Sequence, residues 1–354
     1  MVFNIYNPDG SKAFSIENTD AIRSEESNEL SLESLYESAE NSYAECTKYI
    51  NAVEVMSAEG FGENAKAVIS KVIKNIKEFL LKVCNFIGNV IQKCAVFFKN
   101  VWNKLTGTDK LLESAKHLGE INDKSKTITL SPLMYKLLFE KSEAIVDMNS
   151  FIKESAKLNS ECYEIYGKIS TILKTILSTA KNDWLLDSFH HISTEREFLD
   201  DAVERVCNGI VAELKFARQL FLNEDYVNGD NNTVSINELI KHLRGLNIDV
   251  SSIEKNIETS NKVLTTYSAE CVKLLSQVSA DIDKILSFDK NGPNVSTRTK
   301  EKMIFVKKLM ASVANNLQRM TKTVNDELVY STKLLNEIRK CCSQISKYNE
   351  TMNN

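Results

Sequence analysis

The chain has 354 residues, enough for two domains or one elongated domain, yet it contains only three prolines and 11 glycines. β-Sandwiches, β-barrels and enzymes with glycine-rich loops need many tight turns, so this composition disfavours them. The net charge is −4, and the hydrophobic share of 43% and charged share of 26% are ordinary for a folded soluble protein and argue against wholesale disorder. We therefore predict an all-α protein, an elongated bundle of long antiparallel helices.

The first 59 residues are strongly acidic. They contain 12 acidic and three basic side chains, a net charge of −9. We predict a short strand over residues 2–6 and a helix that begins after the capping residue Ser31 and ends before Gly60. The N-terminus lacks the basic and long apolar regions of a signal peptide. Residues 1–59 are thus predicted to form an acidic leader.

The charge reverses at Gly60. Residues 60–110 contain nine lysines and three acidic side chains, a net charge of +6. From Ile69 to Leu105 apolar residues recur at steps of three and four, which places them on one face of a helix about 60 Å long. Residues 60–121 are therefore predicted to form an amphipathic basic segment. The lysines predicted to face a polyanion or lipid are Lys71, Lys74, Lys82, Lys93, Lys99 and Lys104.

The remainder of the chain is predicted to be a helical bundle domain, residues 131–354. A short helix over 109–118 and a polar linker over 122–130 precede it, and Ser131-Pro132 supplies a cap and a first helical residue. This helix is predicted to reach about residue 181. Further predicted starts are Thr194 with Glu197, Ser235 with Glu238, Ser251 with Glu254, and Thr297, for helices over 194–223, 235–245, 251–287 and 297–347.

Motifs for catalysis or cofactor binding do not appear in the sequence. The histidines, His117, His190, His191 and His242, have no zinc-binding spacing, and phosphate-binding glycine motifs are missing. Eight cysteines without a CxxC spacing indicate reduced thiols that fill a core. A calcium-like loop at 225–232 places Val227 and Gly229 where carboxylates are required. We predict that the protein is not an enzyme and holds no metal or cofactor.

The junction between the leader and the basic segment has features of a proteolytic site. Ser57-Ala58-Glu59 is followed by Gly60 and Gly62, and glycines favour the extended, flexible backbone that a protease needs. The same triplet ends at Glu40 and Glu270, so the triplet alone is weak. Its coincidence with the charge reversal predicts cleavage after Glu59.

An acidic propeptide that ends in a small-x-Glu triplet, followed by Gly-Phe and a lysine-rich amphipathic helix, resembles the internal head proteins of large tailed bacteriophages. The resemblance covers about residues 31–105. It implies that the prohead protease cuts after Glu59, that Gly60 becomes the new N-terminus, and that Glu40 could be an earlier cut. It further implies a location in the virion, inside the capsid with packaged DNA, after synthesis in the host cytoplasm.

Cleavage would reverse the net charge of the chain. The whole chain carries 44 basic and 48 acidic residues, net −4, and the part that begins at Gly60 carries 41 and 36, net +5. A positive product tolerates packaged phosphate through non-specific, salt-dependent contacts. The sequence shows no motif for reading bases, so no DNA sequence specificity is expected.

Two other functions fit the same pattern. In a membrane-acting, pore-forming protein, the amphipathic helix would be sheltered in the bundle and released onto lipid. In a purely structural scaffold or interaction module, the apolar face would be permanently buried. The sequence is compatible with all three functions and with a homo-oligomer.

Overall fold

The computed structural model describes most of the chain that follows the acidic leader. Helices account for most of the described residues and the strands form only short pairs, so the predicted all-α class is confirmed. The predicted helix over 31–59 and residues 225–231 of the calcium-like loop lie outside the described part. The described residues are 4–6, 12–15, 65–119, 126–140, 143–179, 196–208, 232–286 and 297–353.

Helix α1 (Ala65–Phe97) is the predicted amphipathic helix. Its helical backbone continues through a π-helical turn, Phe98–Trp102, and a last turn, Asn103–Leu105, so it ends where the periodicity ends. Gly107 follows with φ +79°, in the left-handed region that glycine adopts without steric cost. The predicted helix and its termination are confirmed.

The other helices follow the predicted order, although several bounds differ. A short helical stretch, Pro132–Tyr135, runs into a π-helical turn, Lys136–Glu140, and a third π-helical turn, Val263–Ser268, joins the helix that ends at Lys262 to the helix that begins at Ala269. The remaining helices are α2 (Thr108–His117), α3 (Glu143–Thr179), α4 (residues 196–208), α5 (Ile236–Arg244), α6 (Val250–Lys262), α7 (Ala269–Ile285) and α8 (Thr297–Asn353).

Two predicted helix caps are confirmed. The backbone N–H of Met134 donates to Ser131 Oγ at 3.3 Å, with Pro132 at the first helical position. At the start of α5, the backbone N–H of Glu238 donates to Ser235 Oγ at 3.2 Å. Each hydroxyl satisfies an N–H group that has no partner inside the helix.

The predicted cap at Ser251 is wrong. Helix α6 begins at Val250, and the Asp249 carboxylate accepts hydrogen bonds from the backbone N–H of Ser252 at 2.9 Å and from Ser252 Oγ at 2.6 Å. These bonds hold the pKa of Asp249 below its ordinary value. A carboxylate is a stronger acceptor than a hydroxyl, and it also suits the positive end of a helix, so Asp249 takes the capping role.

The linker predicted over 122–130 is wrong for its last part. Residues 127–130 form strand β3 (Thr127–Leu130), which pairs antiparallel with β4 (Asn232–Ser235). Along β3, Ile128 and Leu130 are buried whereas Thr127 and Thr129 are exposed, the period-two pattern of a half-buried strand. The pattern was too short to be distinguished from a polar loop without its partner.

A second strand pair lies near the N-terminus. Strand β1 (Asn4–Tyr6) agrees with the strand predicted over 2–6, and it pairs antiparallel with β2 (Lys12–Ser15), which the sequence analysis did not predict.

The chain divides into two compact units, each made of separate stretches of sequence. The first unit comprises residues 1–96, 160–207 and 262–325, and the second comprises 97–159, 208–261 and 326–354. Helix α8 contributes its first part to one unit and its second part to the other.

Within both units α8 is a central element whose side chains are mostly buried. Leu317 in the first unit and Leu334 and Ile338 in the second are fully buried. The helix also buries polar residues, which the sequence analysis did not identify as core: Asn316, Gln318, Thr321, Asn325, Asp326, Glu327, Ser331 and Thr332. A helix that is covered on several sides must bury part of its polar face.

Arginine side chains cap two helix ends in the second unit. Arg339 donates to the carbonyl of Thr106 at 3.2 Å, just beyond the last turn that follows α1. Arg244 donates to the carbonyls of Lys116 and Leu118 at 2.9 and 2.6 Å, at the end of α2. These bonds satisfy carbonyl groups that lack helical partners.

Candidate functional surface

One face of α1 forms part of the core of the first unit. Its apolar side chains are almost completely buried, and the large aromatic residues Phe79 and Phe86 are only 1% and 3% exposed. The buried side chains are Ile69, Val72, Ile73, Ile76, Phe79, Leu80, Val83, Cys84, Phe86, Ile87, Val90, Ile91 and Cys94. The structure thus supplies the cover that this apolar face requires.

The opposite face of α1, which we call the lysine face, points away from that core. Its residues recur at steps of three and four and are exposed or half-buried. Four of them are lysines and one is acidic, so the net charge of the face is +3. They are Lys71, Lys74, Glu78, Lys82, Asn85, Asn89 and Lys93.

The lysines of this face differ in their surroundings. Lys71 is exposed and makes no ion pair with another described residue, and Lys74 lies 3.8 Å from Glu78 in an exposed pair that contributes little to stability. Lys82 and Lys93 are half-buried, and burial, the main cause, lowers the pKa of Lys93. Lys71, Lys74 and Lys82 are therefore the better candidates for contact with an anion.

Beside the lysine face, Lys77 has a structural role. Its Nζ lies 2.8 Å from Asp283 Oδ2 in a partly buried ion pair that connects α1 with α7 inside the first unit. Lys77 was not among the lysines predicted to face a polyanion or lipid, and its ion pair with Asp283 gives it a structural role instead.

The two remaining predicted lysines belong to the second unit. Lys99 and Lys104 are both exposed, on the π-helical turn and the last turn that follow α1. Beside them Trp102 is buried and its ring centroid lies 5.2 Å from that of Phe98.

The predicted cleavage positions Glu40, Glu59 and Gly60 lie outside the described residues.

The described cysteines are buried and form no disulfide bond with one another. In the first unit Cys84 Sγ donates to the carbonyl of Val272 and Cys94 Sγ to Asn325 Oδ1, both at 3.8 Å. Burial raises the pKa of each of these two thiols to about 12. Neutral, covered thiols are poor nucleophiles, so these residues fill the core as the sequence analysis predicted.

Histidines in the described chain show no metal-site geometry. His117 is exposed, and the His242 ring lies 4.1 Å from the Phe139 ring within the second unit. Among the described residues no group of three or more His, Cys, Asp or Glu side chains could hold a metal ion. His190 and His191 lie outside this part of the chain, and the absence of a metal or cofactor stays a prediction.

A cleft of about 240 Å³ lies in the second unit between β3 and α8. Its lining includes Ser131, Cys341, and the ion pair of Glu337 and Lys340, whose charged atoms are 3.1 Å apart. The charges in its wall neutralise each other and burial raises the pKa of Cys341, so the cleft presents no reactive group.

One described helical segment, Ile69–His117, is long and apolar enough to cross a membrane, judged by length and composition. However, 56% of its most apolar stretch is buried inside the protein, and the core helix of a soluble protein passes the same test. Its apolar side chains would have to leave the core before they could contact lipid.

Comparison of the chain with protein-family models, curated proteins and solved structures finds no match.

Proposed function

We propose that this protein is a non-enzymatic structural protein of a tailed-bacteriophage virion, held inside the head and matured by cleavage after Glu59. Its mature form binds packaged DNA non-specifically through the lysine face of α1. The observation that carries the proposal is the division of α1 into a buried apolar face and an outward face of net charge +3. Lysine ammonium groups on such a face can contact phosphates without reading bases.

The acidic leader gives this proposal a regulatory element. Loss of residues 1–59 changes the net charge from −4 to +5. Before cleavage, the negative precursor would be repelled by nucleic acid during assembly. After cleavage, the positive product would tolerate the dense negative charge of packaged phosphate. The partners of the protein in this proposal are the prohead protease, the capsid interior and DNA.

Cleavage is the direct test of the proposal. Co-expression with the cognate prohead protease is expected to yield a product whose first residue is Gly60, because the junction combines a small-x-Glu triplet with Gly60 and Gly62. Intact-mass and N-terminal analysis would identify the product. Glu59→Gln should block this cut. Glu270→Gln, which changes the last residue of another Ser-Ala-Glu triplet and lies on helix α7, should leave the cut unchanged. Virions that contain stoichiometric peptides from residues 1–59 would contradict the proposal.

The membrane-acting alternative has one observation in its favour, the length and apolar character of Ile69–His117. Because the apolar face of α1 is buried, we expect little dye release when the processed protein is mixed with anionic liposomes. Leakage comparable to that of a known pore-forming helix would favour the alternative over DNA binding. In that case dye release should require the first unit to open, so conditions that stabilise this unit should reduce the dye release.

A purely structural scaffold predicts the same burial of α1 but no affinity for DNA. The two proposals therefore differ in the role of the lysine face, and retention of processed protein on double-stranded DNA at low salt separates them.

A further inference from the structure

The second unit buries a glutamate, Glu327 of α8, with no exposed surface. No cation of the described chain pairs with it: its carboxyl group faces Ser260 of α6, Ser155 of α3 and Ser331 of its own helix, all of which are neutral. An ionised carboxylate in such surroundings would be costly, since burial removes it from water and no opposite charge compensates.

The hydrogen bonds around Glu327 form a chain with a defined direction. Asn159 Nδ2 donates to the carbonyl of Asn256 at 3.3 Å, which orients its amide so that Oδ1 faces Ser260 Oγ, 3.1 Å away. Asn256 Nδ2 in turn donates to the carbonyl of Ile152 at 2.9 Å. The amide oxygen of Asn159 can only accept, so the single proton of Ser260 is directed to it.

Ser260 Oγ also forms a short hydrogen bond with Glu327 Oε2. The Ser260 hydroxyl has only one proton, which cannot satisfy both Asn159 Oδ1 and an ionised Glu327. If Glu327 carries a proton on Oε2, it donates to Ser260, Ser260 donates to Asn159, and every contact has one donor and one acceptor. The other carboxyl oxygen, Oε1, accepts from Ser331 Oγ at 2.8 Å.

From this geometry we propose that Glu327 is a neutral carboxylic acid in the folded protein and that its proton closes a hydrogen-bond chain joining α3, α6 and α8. Loss of the proton breaks the chain and loosens the second unit as the pH rises. The fold thus contains a proton-linked switch, which is independent of cleavage and of DNA.

The direction of the pH effect follows from the pKa. Burial raises the pKa of Glu327 from its ordinary value of 4.5 to about 7, and neighbouring hydroxyl groups offset only a smaller part of this rise. Ser155 lies beside the carboxyl group, but its Oγ forms no hydrogen bond with it. The contribution of Glu327 to stability is complete below pH 4.5, where the carboxyl group is protonated in both the folded and the unfolded protein. It is lost as the pH rises through about 7.

The test compares the full-length protein with Glu327→Gln, because glutamine mimics the neutral acid, donating to Ser260 and accepting from Ser331. Denaturant unfolding between about pH 4.5 and 7 should show that the wild type takes up about one more proton on folding than the variant. Relative to the variant, the folding equilibrium constant of the wild type should fall by on the order of 100-fold across this range. The exposed Glu258→Gln on α6 is the matched control and should keep the wild-type profile.

An infrared difference spectrum, wild type minus Glu327→Gln, should show the C=O stretch of a carboxylic acid midway between pH 4.5 and 7. A carboxylate band there, or parallel pH profiles for the two proteins, would overturn the proposal. If the glutamine variant does not fold, ¹³C NMR of wild-type glutamate carboxyls decides: one should titrate near pH 7 and shift in Ser260→Ala. A spectrum in which no glutamate carboxyl titrates above about pH 6 would reject the switch.

Discussion

Replacing Leu80 with alanine is expected to lower the free energy of unfolding by about 2–5 kcal/mol. Leu80 is fully buried in the middle of α1, between the fully buried Ile76 and Val83. Removing three carbons from this position loses apolar burial and leaves a cavity that the surrounding core can fill only in part. Chemical denaturation of the full-length protein, monitored by circular dichroism, measures the loss.

The matched control is Lys74→Ala on the lysine face of the same helix. Lys74 is exposed and its ion pair with Glu78 is long and solvated, so the change should stay within about 0.5 kcal/mol. Equal, small effects at Leu80 and Lys74 would show that the apolar face of α1 is not held in the core. Such a result would favour the membrane-acting alternative, in which the helix is free to leave the bundle.

Replacing Lys71, Lys74 and Lys82 together with glutamine is expected to weaken DNA binding by the processed protein and to reduce its salt dependence. Each lysine that neutralises a phosphate releases counterions, so the slope of log affinity against log salt should fall by about 0.9 for each phosphate that is no longer neutralised. The weakening should be the same for unrelated DNA sequences, because phosphate contacts carry no sequence information. Titration of the product that begins at Gly60 against duplex DNA at several salt concentrations measures the slope.

A control variant separates the position of the lysines from the net charge of the protein. Lys153, Lys241 and Lys255 are exposed lysines on other helices, and their replacement by glutamine removes the same charge. This control should retain most of the salt slope. If the slope falls by the same amount in both triple variants, the lysine face has no special role and only the net charge of the mature chain matters.

The helices of this protein were predictable because their signals are local. The steps of three and four between Ile69 and Leu105 and the caps at Ser131 and Ser235 each act within one or two helical turns. The cap at Asp249 was missed because Asp249 and Ser251 could each cap the N-terminus of α6, and only the backbone geometry selects between them.

The candidate surface was predictable only in part. Helical periodicity separates the lysines of α1 from its apolar side chains, but it does not show how deep each lysine lies. Lys71 and Lys74 are exposed, whereas Lys82 and Lys93 are half-buried. The pairing of Lys77 with Asp283 joins residues 206 positions apart and has no local signal.

By itself the sequence determined the all-α class, most helix starts and the reversal of charge at Gly60, because these depend on composition and on neighbours within a few residues. Only the tertiary structure decided that the apolar face of α1 is covered within the first unit, that 127–130 pairs with a strand about 100 residues away, and that Ser260 contacts both Glu327 and Asn159. Those interactions join residues that are distant in the chain, and burial and hydrogen bonding at such sites depend on packing, which no local pattern encodes.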